Sequence, residues 1–270
     1  MKNQNMMGHL TAMLTVLLWG TTFISTKILL VEFSPLEILF FRFVMGTVAL
    51  TVICPRPMRG TTLRQELTFL AAGLSGVSLY YLFENVALTY TFASNVGVVV
   101  SAAPFFTAIL AKIFLKGEER LKGNFFVGFV VAMAGISLIS FNGAKMHLNP
   151  LGDLLAAGAA LLWAFYSIFI RKINTYGYST VQMTRRIFLY GILGMLPMLP
   201  FSEFRLGPER FGNPVYVFNF LFLGLGASAM CFATWNFAVK ELGTVKTSVY
   251  IYAVPVITVI SSMELKTAKR

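Results

Sequence analysis

Arg42, in the stretch EILFFRFVMG, and Glu84, in SLYYLFENVAL, each place a formal charge inside a long apolar run. A charge at the centre of a membrane helix costs about 2.5–3.5 kcal/mol on insertion scales, so such residues mark functional sites by default. Glu84 could bind a proton or the amine of a solute, while Arg42 orients it or meets a carboxylate. The competing readings are a structural ion pair between the two, or a Glu84 that simply reaches the outer interface.

Other polar residues in apolar surroundings extend this candidate set. Trp19, Trp163 and Trp235 stand away from the ends of their runs, unlike the aromatic belts of membrane interfaces. Each indole N–H needs a partner in hydrocarbon, and lining a cavity would supply one; close packing between helices is the alternative. An aromatic face would also hold an apolar or cationic solute. Tyr80, Tyr81, Asn85, Asn95, Asn236, Tyr250 and Tyr252 are further cavity candidates. Pro104 and Pro255 each remove a helical hydrogen bond inside a run, which kinks a helix where a gate would bend. Arg185, Arg186, Lys27 and Arg171 read instead as groups that snorkel to, or anchor at, an interface. Gly128-x-x-x-Ala132 and the 156–160 alanine run read as helix-packing surfaces.

Enzyme chemistry finds little footing. There is no phosphate-binding G-x-x-x-x-G-K-[ST] loop, so nucleotide-driven pumping by this chain is unsupported. His9 and His147 lie near opposite membrane faces, and Cys54 and Cys231 make neither a disulfide framework nor a metal site. No cofactor or metal is expected.

The elements that must position these residues are membrane helices. The 270 residues are 57% hydrophobic and 12% charged, about half the charge of a soluble domain. Nine apolar runs of roughly helix-spanning length cover 8–30, 35–54, 67–88, 92–115, 123–141, 151–172, 180–200, 214–238 and 244–263. The net charge of +11 falls in short clusters between runs, which fits membrane topology and not a nucleic-acid stripe. With the N-terminus cytoplasmic, the inner connections carry Lys2, Arg56, Arg59, Arg64, Lys112, Lys116, Arg120, Lys122, Arg171, Lys172, Lys240 and Lys246, against Lys145, Arg205 and Arg210 outside. A multi-pass plasma-membrane protein with its N-terminus inside is expected. Residues 264–270, with Lys266, Lys269 and Arg270, contradict that topology and read as an atypical polar tail.

The chain also repeats itself. Adding 144 maps Trp19 onto Trp163, Lys27 onto Arg171 and Arg42 onto Arg186; adding 151 maps Gly73 onto Gly224, Asn85 onto Asn236, Ala87 onto Ala238 and Pro104 onto Pro255. The first unit, 8–141, holds five spans, an odd number, so its copy at 151–263 enters from the opposite side. Inverted repeats of this kind enclose a midplane site in secondary transporters. The copy has four spans, so nine are present of an expected ten, the partner of 123–141 being absent.

These residues resemble the EamA-type permeases of the drug/metabolite transporter superfamily. The resemblance rests on LLWGTTF at 17–23, LLWAFYSIF at 161–169, FFRFVMG at 40–46, YYLFENVALTYTFASNVGVVVSAAPFFTAILA at 80–111 and TWNFAVKELGTVKTSVYIYAVPVITVISS at 234–262. It implies an all-α bundle of ten helices in two inverted five-helix repeats around a cavity, moving small metabolites such as amino acids or drugs. The function expected is therefore a permease acting by alternating access, with a small-molecule solute and lipid as partners and proton coupling through Glu84 as one energy source. A truncated, non-transporting paralogue or assembly partner is the alternative. Substrate, direction and oligomeric state are not written in these residues.

Overall fold

The computed structural model describes residues 2–115, 123–141, 149–202 and 204–268. Lys116, Arg120, Lys122, Lys145, His147, Lys269 and Arg270 lie outside them.

Every regular element among the described residues is helical. Nine helices follow in order: α1 (Lys2–Leu29), α2 (Pro35–Ile53), α3 (Leu63–Tyr90), α4 (Ala93–Phe114), α5 (Gly123–Phe141), α6 (Pro150–Ile173), α7 (Thr180–Met195), α8 (Pro214–Leu242) and α9 (Thr244–Ser261). Seven are long and apolar enough to cross a membrane, with Gly123–Leu138 of α5 a shorter apolar stretch, and α7 runs for 16 residues. Helix α7 is cut short at Met195 and continues as a 3-10 segment, Leu196–Phe201. Pro197 and Pro200 there supply no N–H to an α-helical ladder.

Local sequence sets the helix starts. Ser34 and Glu37 form a reciprocal capping box ahead of α2, and Thr62 and Gln65 do the same for α3. Asn149 and Asn213 cap α6 and α8, each followed by a proline in the first helical turn. Gly243, at φ +85°, ends α8 and starts α9 within a single residue. A side chain would be strained in that conformation.

Packing exchanges the two halves. Helix α1 lies along α8 and α9, while its repeat partner α6 lies along α3 and α4; α2 and α7 pack on each other. Close approaches make this possible. A Cβ on Gly73 would come within 2.7 Å of the Ile187 carbonyl on α7, and one on Gly224 within 3.2 Å of the Arg42 carbonyl on α2. These two glycines are repeat partners, so both crossings are set by the same position in each half. Ala156, Ala159 and Ala160 are fully buried, as a packing surface requires. A Cβ on Gly128 would meet nothing within 4 Å among the described residues.

Helices α3 and α8 both contain a π-helical stretch, Leu74–Leu79 and Phe222–Met230. Subtracting 151 from the second overlays it on the first. Helices α4 and α9 share a second irregularity. The chain turns at Ser101–Ala102 in α4 and runs as a 3-10 segment, Val249–Ala253, in α9. Pro104 and Pro255 follow these breaks directly, so each proline sits in the first turn of a restarted helix, where its missing N–H costs least.

Candidate functional site

A cavity lies where α1, α3, α4, α6 and α9 converge. Trp19, Thr22, Phe23, Tyr80, Tyr81, Glu84, Val100, Ala103, Trp163, Ile251 and Val254 line it. Six of the eleven lining residues are repeat partners. Trp19 matches Trp163 under the 144-residue offset; Val100 matches Ile251 and Ala103 matches Val254 under the 151-residue offset. Its open volume is ≈ 30 Å³, room for about two waters. That space is too tight for a whole metabolite.

Five of the eleven lining residues are aromatic. Trp19 and Trp163 meet edge to face at 5.1 Å, and Trp235 closes the group at 5.1 Å from Trp19 and 5.9 Å from Trp163. Tyr80 packs 5.0 Å from Trp163 and 4.7 Å from Tyr81. The Trp19 indole donates to the Ala227 carbonyl at 3.0 Å. The indole nitrogens of Trp163 and Trp235 are buried with no partner.

Glu84 is the one charged residue of the lining. It accepts a 2.6 Å hydrogen bond from the Tyr80 hydroxyl, one helical turn earlier. The second half carries no counterpart, because adding 151 to Glu84 arrives at Trp235. Arg42 stands outside the cavity. Its Nε donates to Ser228 Oγ at 3.0 Å, its guanidinium covers the Tyr81 ring at 4.3 Å, and both terminal nitrogens are buried without partners. The two ion pairs among the described residues lie elsewhere, so Arg42 and Glu84 do not form the structural pair that was one reading of them.

Other candidates fall around the cavity or away from it. Asn236 is a buried junction: it accepts from Tyr166 at 2.8 Å and donates to Thr184 Oγ1 at 3.0 Å. Its partner Asn85 donates to the Pro35 carbonyl at 3.2 Å, leaving its own oxygen unpaired. The Tyr252 hydroxyl is buried and unpaired, and Tyr250 bonds His9 at 2.6 Å. Asn95 donates to Thr91 Oγ1 at 3.0 Å. The Lys27 amine donates to the Leu88 and Thr91 carbonyls, capping the end of α3. Arg185 is likewise tied down, on the Cys54 and Arg56 carbonyls, and Arg186 pairs with Glu66 at 3.0 Å. Among the described residues no group of three or more His, Cys, Asp or Glu side chains gathers to hold a metal ion.

Sequence reasoning missed a clasp on the connection between α7 and α8. Glu37, 1% exposed, accepts from the Arg210 guanidinium at 2.9 Å and from the Arg205 backbone N–H at 2.7 Å. Its hydrogen bonds hold the Arg210 guanidinium above its ordinary pKa. A capping carboxylate next to a proline looks local in the sequence, and nothing in its spacing points to residue 210. Thr22 and Phe23 were also missed, although their spacing of three and four from Trp19 puts them on its helix face.

The pattern of the EamA-like transporter family matches twice, over residues 6–141 and 150–266. The chain belongs to that family. An uncharacterized transporter of Archaeoglobus fulgidus is 30% identical over 261 residues, which cover 95% of this chain and 88% of the relative. A probable terminal-alkyne amino-acid exporter of Streptantibioticus cattleyicolor is 25% identical, covering 90% of this chain and 80% of its own. A crystal structure at 22% identity superposes with a TM-score of 0.71 over 96% of this chain and 89% of that one, which establishes the shared fold. Family and relatives support a multi-pass membrane transporter of small molecules, and they favour transport over catalysis or a non-transporting role.

Proposed function

We propose that this EamA-family protein is a secondary transporter that carries a small organic metabolite, such as an amino acid or a drug-like solute, by alternating access. The single observation that carries the reading is the cavity lined by Trp19 with Trp163, Val100 with Ile251 and Ala103 with Val254, one member of each pair from each half. A site to which both inverted halves contribute is exposed to one side or the other as the halves rock. The moving units are the repeats at 8–141 and 151–263. In this reading Trp19, Trp163, Tyr80 and Glu84 touch the solute. Trp235, Asn85, Asn236, Tyr252 and Arg42 hold the wall behind them, and Pro104 and Pro255 mark the bending points. Glu84 also serves as the proton site if transport is proton-coupled. The protein resides in the plasma membrane with its N-terminus in the cytoplasm.

Reconstituted flux tests this directly. Proteoliposomes carrying the protein should move at least one solute from a metabolite panel without nucleotide, and Trp19→Ala and Trp163→Ala should each lower that flux. A panel in which nothing moves would sink the transporter reading.

A further inference from the structure

The chemistry of the cavity wall is lopsided in charge. Of its eleven lining residues, Glu84 is charged, four are Trp or Tyr, and no Lys, Arg or His is among them. Two cations, Arg42 and Lys27, stand outside that lining. Arg42 lies behind the Tyr81 ring with its Nε on Ser228, and Lys27 caps α3 on the Leu88 and Thr91 carbonyls. The 151-residue offset puts Trp235 where a second carboxylate would be, so the site carries a single negative group. Tyr80 holds one Glu84 oxygen at 2.6 Å, which fixes the carboxyl in place against the aromatic wall.

From this geometry we propose that the cavity takes an organic ammonium ion, a protonated amine on an apolar or aromatic body, in preference to an anion or an uncharged solute. The assignment rests on the transporter reading above. A cation is held by Glu84 on one side and by ring faces on the other, since aromatic faces attract positive charge. The ammonium head matches the ≈ 30 Å³ now open, and the body enters as the two halves part. A carboxylate would face Glu84 with no cation in the lining to neutralise it.

The protein supplies its own reporter. Its three tryptophans, Trp19, Trp163 and Trp235, all stand in this one cluster, so intrinsic fluorescence reads the cavity. Titration of the purified full chain with phenethylammonium, 2-phenylethanol and 3-phenylpropionate should give a saturable change with the amine at a concentration about tenfold lower than with either analogue. Glu84→Gln should erase that preference, and Tyr80→Phe, which frees the carboxylate, should keep it. If Glu84→Gln does not fold, Glu84→Asp should retain the preference at weaker affinity. Equal binding of the alcohol or the carboxylate, no saturable response to the amine, or a preference that survives in Glu84→Gln overturns the assignment. Flux of neutral or anionic solutes alone in proteoliposomes would remove the ammonium assignment while leaving the transporter standing; no flux of any solute would remove both.

Discussion

The indoles of Trp19 and Trp163 touch edge to face at 5.1 Å, although one belongs to the first half of the chain and the other to its inverted copy. They are not equivalent in their polar bonds. Trp19 donates to the Ala227 carbonyl, while the Trp163 nitrogen is buried without an acceptor. Trp19→Phe should therefore lower stability more than Trp163→Phe, by about 1 kcal/mol, the net worth of one hydrogen bond. Thermal melts of the two variants in detergent would check this. Equal losses would mean that ring packing alone decides.

Arg42 holds one hydrogen bond and two unpartnered terminal nitrogens in a site that is 1% exposed. Replacing a poorly compensated buried charge by an apolar residue of similar length is often neutral or stabilising. Arg42→Met should keep or raise the melting temperature while lowering solute flux. A large loss of stability would show that the guanidinium serves the fold instead.

Glycine positions divide sharply. Gly73→Ala would drive a methyl to 2.7 Å from α7 backbone atoms, and such overpacking costs about 1–3 kcal/mol. Gly128→Ala meets nothing and should be neutral or gain up to about 1 kcal/mol of helix propensity. Comparing unfolding of the two variants side by side measures the difference.

Asn236 and Asn85 occupy matching positions, yet Asn236 joins Tyr166 and Thr184 while Asn85 makes one bond to a carbonyl. Hydrogen bonds between membrane helices average about 0.6 kcal/mol. Asn236→Ala should accordingly cost at least twice what Asn85→Ala does, read again from unfolding midpoints.

The two cysteines report topology. Cys54, at the end of α2, is partly exposed, and Cys231 is fully buried. With the N-terminus in the cytoplasm, a membrane-impermeant maleimide should label Cys54 only after cells are permeabilised. Cys231 should stay unlabelled in both conditions. Labelling of Cys54 in intact cells would reverse the orientation.

Much of the architecture was legible because the forces that build it act along the chain. Apolar runs gave the helices to within a few residues, and matched Trp, Asn, Gly and Pro positions gave the repeat before any contact was known. The cavity was partly legible for the same reason: Trp19, Tyr80, Glu84 and Trp163 stand out as polar or aromatic groups in hydrocarbon. What stayed hidden depends on contacts across the sequence. Ser228 looks like a small residue in a greasy helix until Arg42 is found beside it. Glu37 looks like a cap until Arg210 folds over it. Lys27 and Arg185 look unpartnered because the sequence does not show that helix-end carbonyls lie within their reach.

The two π-helical stretches carry a mechanical consequence. Each holds a surplus residue in its winding, and returning one surplus residue to ordinary α pitch would twist the segment beyond it by about 100°. Tyr80, Tyr81 and Glu84 follow directly after the first stretch, and Cys231, Phe232 and Trp235 after the second. The Glu84 carboxylate and the indole at its repeat-equivalent position, Trp235, thus hang from paired swivels. A quarter-turn of either axle would re-aim that wall without displacing a helix.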